Sequence, residues 1–318
     1  MRFKVDVKIH AILFSVDERV FDINLHSGYG IAKKSLHPTM DHLEREYGLN
    51  HEELRRQYDS AVIDESLNVP CAYKEIQLDY NENSIDDVIR KVNNQITEEL
   101  NGLDRQLRLI RLLTECAISF KVFRFVGEIY YNDDSALPKW RRYGPLSCSS
   151  PIPEAYARTT EYKTIWDSGS IAVINNVLFE SLPSDEVWSP AFGLYDASYF
   201  QLNNPNSNAN ALLLLMICLE MMFLDKKDSK VNPLSKRCAI YIGSSVEDRI
   251  NIYNGIKSMY KLRSDYVHDG NLDATGDDVR KLREYVRLAL QKYKQEKRSK
   301  GQMIEDMKAE VAKCEYFR

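Results

Sequence analysis

Apolar and polar residues alternate strictly at the start of the chain: Phe3, Val5, Val7 and Ile9 fall on one side, Lys4, Asp6, Lys8 and His10 on the other. A period of two marks a half-buried strand, so 3–16 predicts a strand and 19–25 a second. The short link Val16-Asp17-Glu18 joins them as a hairpin. His37-Pro38 reads as a break, 41–47 as a short helix, Asn68-Val69-Pro70 as another break and 73–80 as a third strand. The period then changes. Ser84 is a good N-cap, with Asp86 and Asp87 in the first turn where the helix dipole favours them. Val88, Val92, Ile96, Leu100, Leu103, Leu107 and Ile110 keep helical spacing, which predicts a helix to about 117, with Gly102 as its weak point. Residues 120–131 read as a strand, and 135–153, rich in Pro, Ser and Gly, as loop. The pattern assigns no element over 155–200.

The polar stretch 201–209, with its asparagines and Pro205, is the best boundary. Beyond it the chain is almost entirely helical. The first helix spans about 208–224. It includes a 14-residue apolar run, 211–224, that contains Glu220 and is too short to cross a bilayer, so it reads as a core helix. Pro233 opens a second helix to 242. Gly243 fits a C-cap, and Ser244 with Glu247 has capping-box spacing for a third helix that Asp269-Gly270-Asn271 ends. A fourth starts near 275–277, with Val279, Leu282, Val286, Leu290 and Tyr293 on one face. The expected fold is α+β: a mixed domain with antiparallel strands over 1–204, an all-α four-helix domain over 205–298 and a helical tail over 299–318.

Composition adds three points. At 44% hydrophobic and 28% charged residues, the chain is an ordinary globular one. The overall charge of −4 argues against a protein that coats nucleic acid non-specifically, but it is unevenly spread. Residues 1–205 hold 22 Lys and Arg against 31 Asp and Glu, whereas 206–298 hold 17 against 12, so an anionic ligand is expected on the helical part. The six cysteines are widely spaced and form no CxxC pair, which predicts reduced thiols and a cytoplasmic protein. Charges interrupt every apolar run of the first fourteen residues, so no signal peptide is expected. No ligand cluster for a metal and no cofactor motif is present.

Two places carry candidate chemistry. Lys139, Trp140, Arg141, Arg142 and Tyr143 interleave cations with rings. The first reading is a Trp anchoring a loop beside a solvated basic patch. The second is a contact for single-stranded nucleic acid, with rings stacking on bases and cations meeting phosphates. The other place is the third helix of the C-terminal part. Its apolar stripe runs Ile252, Ile256, Met259 with Tyr260, then Arg263, then Val267. An arginine in that line must find an acceptor, and Glu220, in line with Leu213, Met216 and Leu224 on the first helix, is the natural partner. His268 lies five residues after Arg263, about 140° around and roughly 7.5 Å along a continuous helix. The two converge only if that helix ends near Tyr266 or if a second subunit brings its own pair alongside. Ser264 and Asp265 face away from the stripe and are available to the same site, with Lys261 a nearby cation for an anionic ligand.

The segment MYKLRSDYVHDG resembles the Arg/His motif of HEPN domains, small helical bundles marked by Arg, four to six residues, then His at the end of a long helix. Arg263-Ser-Asp-Tyr-Val-His268 fits with four intervening residues, and LEMMFLD and SKRCAIYIG upstream are similar to the Apea-like branch. That branch passes straight from His to Gly, whereas Asp269 intervenes here. The resemblance covers about 206–295 and does not extend to 1–200. It implies a metal-independent endoribonuclease in which the RNA 2′-hydroxyl attacks the adjacent phosphate. His268 is then the general acid or base, and Arg263 holds the phosphate. Glu220, Tyr260, Ser264 and Asp265 are supporting residues. The resemblance further implies a homodimer and a place in antiviral defence, as abortive infection or a toxin–antitoxin pair, with the N-terminal domain sensing or regulating. An antitoxin or a sensor protein is the implied partner. The alternative is a non-catalytic HEPN module that dimerises or binds a protein or nucleic acid.

Overall fold

The computed structural model describes residues 1–14, 16–35, 68–114, 118–132, 140–151, 168–178, 186–201, 207–270, 273–296 and 298–317. The chain divides into two compact units, Met1–Glu180 and Ser181–Arg318. Together they make an α+β protein, with a five-stranded antiparallel sheet in the first unit and a mostly helical second unit.

In the first unit, β1 (Arg2–Phe14), β2 (Gly30–Ser35), β3 (Asn68–Asn81), β4 (Ser119–Asn132) and β5 (Arg141–Pro151) line up in the order β2-β3-β1-β4-β5. The alternation in β1 places Phe3, Val5, Val7 and Ile9 at 0–3% exposure. Helix α1 (Ile85–Thr114) touches β1 and β4. Its stripe from Val88 to Ile110 is buried, and it runs unbroken through Gly102. Ser84 caps it as expected, its hydroxyl accepting the Asp87 N–H at 3.2 Å. Gly127 sits where β4 crowds β1: a Cβ there would lie 2.5 Å from the Asp6 carbonyl oxygen.

Three expectations are corrected in this unit. Residues 19–25 form no strand and no hairpin with β1. Asp17 accepts the Arg19 N–H at 2.9 Å and starts a 3-10 turn, Glu18–Asp22, which buries Val20. Asn68-Val69-Pro70 is no break but the start of β3. The β1 ladder ends at Ile12 opposite Cys71, so Pro70 pairs only with Lys33 of β2 and its missing N–H interrupts no β1 pairing. Most of the expected loop 135–153 is instead β5. As an edge strand it pairs on one side only, which lets Pro145 stand opposite Glu128, and a register shift near Gly144 absorbs Tyr143. The short helix expected over 41–47 lies outside the described residues. Helix α2 (Ser168–Val177), where no element was expected, completes the unit; its Asn175 amide donates to the Asp22 carbonyl at 3.0 Å.

The second unit holds α3 (Trp188–Ala197), a 3-10 turn (Ser198–Gln201), α4 (Ser207–Phe223), α5 (Val231–Ile242), α6 (Val246–Asp269), α7 (Gly276–Glu296), α8 (Lys300–Lys313) and a last 3-10 turn (Glu315–Phe317). The helices α4 to α7 fall where the periodicity put them. The compact helical unit begins before residue 205, because α3 is part of its core. Trp188 Nε1 donates to the Leu290 carbonyl of α7 at 3.1 Å, and Cys218 Sγ of α4 donates to the Ala191 carbonyl at 3.2 Å. The buried Arg283 of α7 donates to the Ser198 carbonyl at 3.1 Å and lies over the Tyr199 ring. Among the described residues no helix is long and apolar enough to cross a membrane.

Candidate functional site

Helix α6 carries the Arg/His motif, and its two ends are fixed by local chemistry. The N-cap is Ser245 rather than Ser244: its hydroxyl accepts the Asp248 N–H at 3.1 Å, while the Asp248 carboxylate accepts the Ser244 N–H at 2.9 Å. At the other end Gly270 takes φ +69°, the left-handed region, and its N–H returns to the Tyr266 carbonyl at 3.1 Å. Asp269 therefore becomes one further helical residue, and the cap falls on the glycine beyond it.

That cap decides the geometry of the motif. The helix is continuous past His268, so Arg263 and His268 are about 140° apart around its axis. The first way of bringing them together within one chain, an early end near Tyr266, is not taken. Arg263 points toward α4, with its side chain 16% exposed and that of Glu220 18% exposed. Its Nη2 is 3.9 Å from Glu220 Oε1. Arg263 Nε and Glu220 Oε1 are both shut from solvent and make no hydrogen bond. The guanidinium carbon lies 5.5 Å from the centre of the Tyr260 ring, a cation–π contact within the helix. Burial raises the pKa of the Tyr260 hydroxyl, and the Glu220 charge raises it further against an opposing effect of Arg263, so this group stays protonated.

His268 is exposed on the last turn of α6, beside Val267 at 48% exposure, and Lys261 is also exposed. Ser264 and Asp265 are half-buried. Pattern reading missed Tyr266: its hydroxyl donates to Asn210 Oδ1 at 2.7 Å, pinning the end of α6 to the start of α4. The signal available was a tyrosine three residues after Arg263, which places both on neighbouring parts of one face.

The second candidate cluster belongs to the sheet unit. Lys139 lies outside the described residues. Trp140 carries Lys4 Nζ at 4.8 Å from its ring centre, and Arg142 donates to Glu128 Oε1 at 2.5 Å, a carboxylate that also accepts the Tyr130 hydroxyl. Arg141 opens β5. One ring and one guanidinium of this cluster are thus already engaged within the sheet unit.

Cys71, Cys218, Cys238 and Cys314 are free thiols. Burial pushes Cys71 up to about 12 and Cys218 and Cys238 higher still, which leaves them protonated and poor nucleophiles. Among the described residues, no three His, Cys, Asp or Glu side chains group as ligands for a metal ion. Compared with known proteins, the chain matches no family model, no curated protein and no solved structure.

Proposed function

We propose that the helical unit is a HEPN-type, metal-independent endoribonuclease that works as a cytoplasmic homodimer in antiviral or toxin–antitoxin defence, the sheet unit sensing a trigger or an inhibitory partner. The observation that carries this reading is the state of Arg263. It is a half-buried cation with a donor that no protein group satisfies, on the same helix as an exposed histidine. A guanidinium of that kind suits a phosphodiester, whose non-bridging oxygens accept two parallel N–H bonds. His268 then takes the proton from the attacking 2′-hydroxyl or returns one to the departing 5′-oxygen. Because the two side chains leave α6 in different directions, a complete site needs Arg263 of one protomer and His268 of a second.

Purified full-length protein should cleave single-stranded RNA in the presence of a chelator, and His268→Ala should lower the rate by about 10²-fold or more. Arg263→Ala should lower it comparably. Cleavage by His268→Ala at the parental rate, or none by the parent, rejects the reading. The same divergence of Arg263 and His268 favours a second reading, a helical module that binds RNA or a protein without cutting. A parent that binds RNA and leaves it intact selects that one.

A further inference from the structure

The contact between Arg263 and Glu220 is only half made. At 3.9 Å it is an ion pair without a hydrogen bond. Other pairs in the same unit close fully: Arg237 grips Asp228 with bonds of 2.5 and 3.0 Å, and Arg287 grips Glu284 with bonds of 2.8 and 2.6 Å. Lys292 and Glu296 are as far apart, at 3.9 Å, but that lysine is half-exposed and donates to the Tyr241 carbonyl at 2.6 Å, whereas Arg263 Nε and Glu220 Oε1 are buried with no such substitute. The half-made contact leaves one acceptor, Glu220 Oε1, and one donor, Arg263 Nε, unsatisfied within the same packed region. Each such group gives up its hydrogen bonds to water with nothing in their place, so the arrangement is stable only as far as charge attraction offsets that cost.

A cation held by attraction alone exchanges readily for a ligand that satisfies its donors. The Tyr260 ring against the guanidinium keeps it on this face of α6 while it does so. We infer that Glu220 is a displaceable counter-charge: it holds Arg263 in reserve, and it weakens the binding of an RNA phosphodiester that must take its place. This rests on the nuclease reading in one respect only, that Arg263 is a phosphate ligand. It adds that the resting molecule carries its own competitor for that phosphate. Arg263 Nη2 faces the Glu220 carboxylate, so a phosphodiester takes that side of the guanidinium only when the carboxylate moves off.

The test uses the full chain and a single-stranded 2′-deoxy oligonucleotide, which lacks the attacking hydroxyl and so reports binding without cleavage. Glu220→Gln keeps the shape and removes the charge. It should bind the oligonucleotide about fivefold more tightly than the parent, the size expected from losing a weak, partly screened ion pair. The gain should disappear in the double variant with Arg263→Ala. Glu220→Ala, read the same way, guards against a glutamine that packs badly, and melting curves show that each variant is folded. Unchanged or weaker binding by the folded Glu220 variants overturns the inference. So does a gain that survives loss of Arg263. Tighter binding by a protein that never cleaves RNA supports the counter-charge while rejecting the nuclease. Cleavage without any Glu220 effect does the reverse, and absence of oligonucleotide binding by every form rejects both.

Discussion

The Tyr266 hydroxyl donates to Asn210 Oδ1 at 2.7 Å, tying the last turns of α6 to the first turn of α4. The bond holds the end of the helix that presents His268. Tyr266→Phe leaves Asn210 Oδ1 without this donor and should destabilise the protein by about 1 kcal/mol. Thermal melting measures this, and an unchanged Tm would mean the bond contributes nothing in solution.

His268 and Arg263 should separate in their effects on stability. His268 is exposed at a helix end, so His268→Ala should shift the unfolding free energy by less than about 1 kcal/mol. Arg263→Ala removes the cation beside a part-buried carboxylate and should cost about 1–3 kcal/mol. Urea titrations of the two variants under one buffer check the order; equal losses would contradict it.

Asp228 gives a pH signature. Its carboxylate is held below the usual range, first by the hydrogen bond from Arg237 and then, against the opposing effect of burial, by the Asp225 N–H and the charges of Arg237 and Lys308. A depressed native pKa contributes stability above the unfolded value of about 3.9, and that stability is lost as the pH falls through the native value. Asp228→Asn should therefore be less stable than the parent at about pH 7, with the gap closing as the pH drops below the ordinary carboxylate range. Parallel melts across that range measure it; a gap independent of pH would show that the charge is not the cause.

Gly127 has no room for a side chain. Its Cβ would meet the Asp6 carbonyl oxygen at 2.5 Å, an atom of the neighbouring strand's backbone that cannot turn aside. Gly127→Ala should cost about 1–3 kcal/mol through a shifted β1–β4 register, visible as a lower denaturation midpoint.

The start of the helical unit is open to a direct test. A fragment from residue 181 keeps Trp188 against α7 and the Ala191 carbonyl under Cys218; one from 205 lacks both. The longer fragment should unfold cooperatively, and the shorter one should melt lower or aggregate, since loss of a buried Trp costs about 3–5 kcal/mol. Equal melting of the two would place the boundary back at 205.

What is local in this protein was legible along the chain. The period of two in β1, the stripe of α1 and the four helices from α4 to α7 follow from side chains that must each hide one face. The pairing of Glu220 with Arg263 was legible for the same reason, since both stand in apolar stripes. What depends on neighbouring elements came from packing. Pro145 and Gly144 could enter a strand because β5 lies at an edge, and Asp17 turned a strand-like run into a 3-10 turn. The same holds at the motif. The spacing of Arg263 and His268 sets them about 140° apart only on a continuous helix, and it is the glycine cap at Gly270 that carries α6 past His268 and so keeps the two apart. The loose ion pair is the plainest case: which atoms of Glu220 and Arg263 go without partners is set by how α4 and α6 pack, a distance that no single helix encodes.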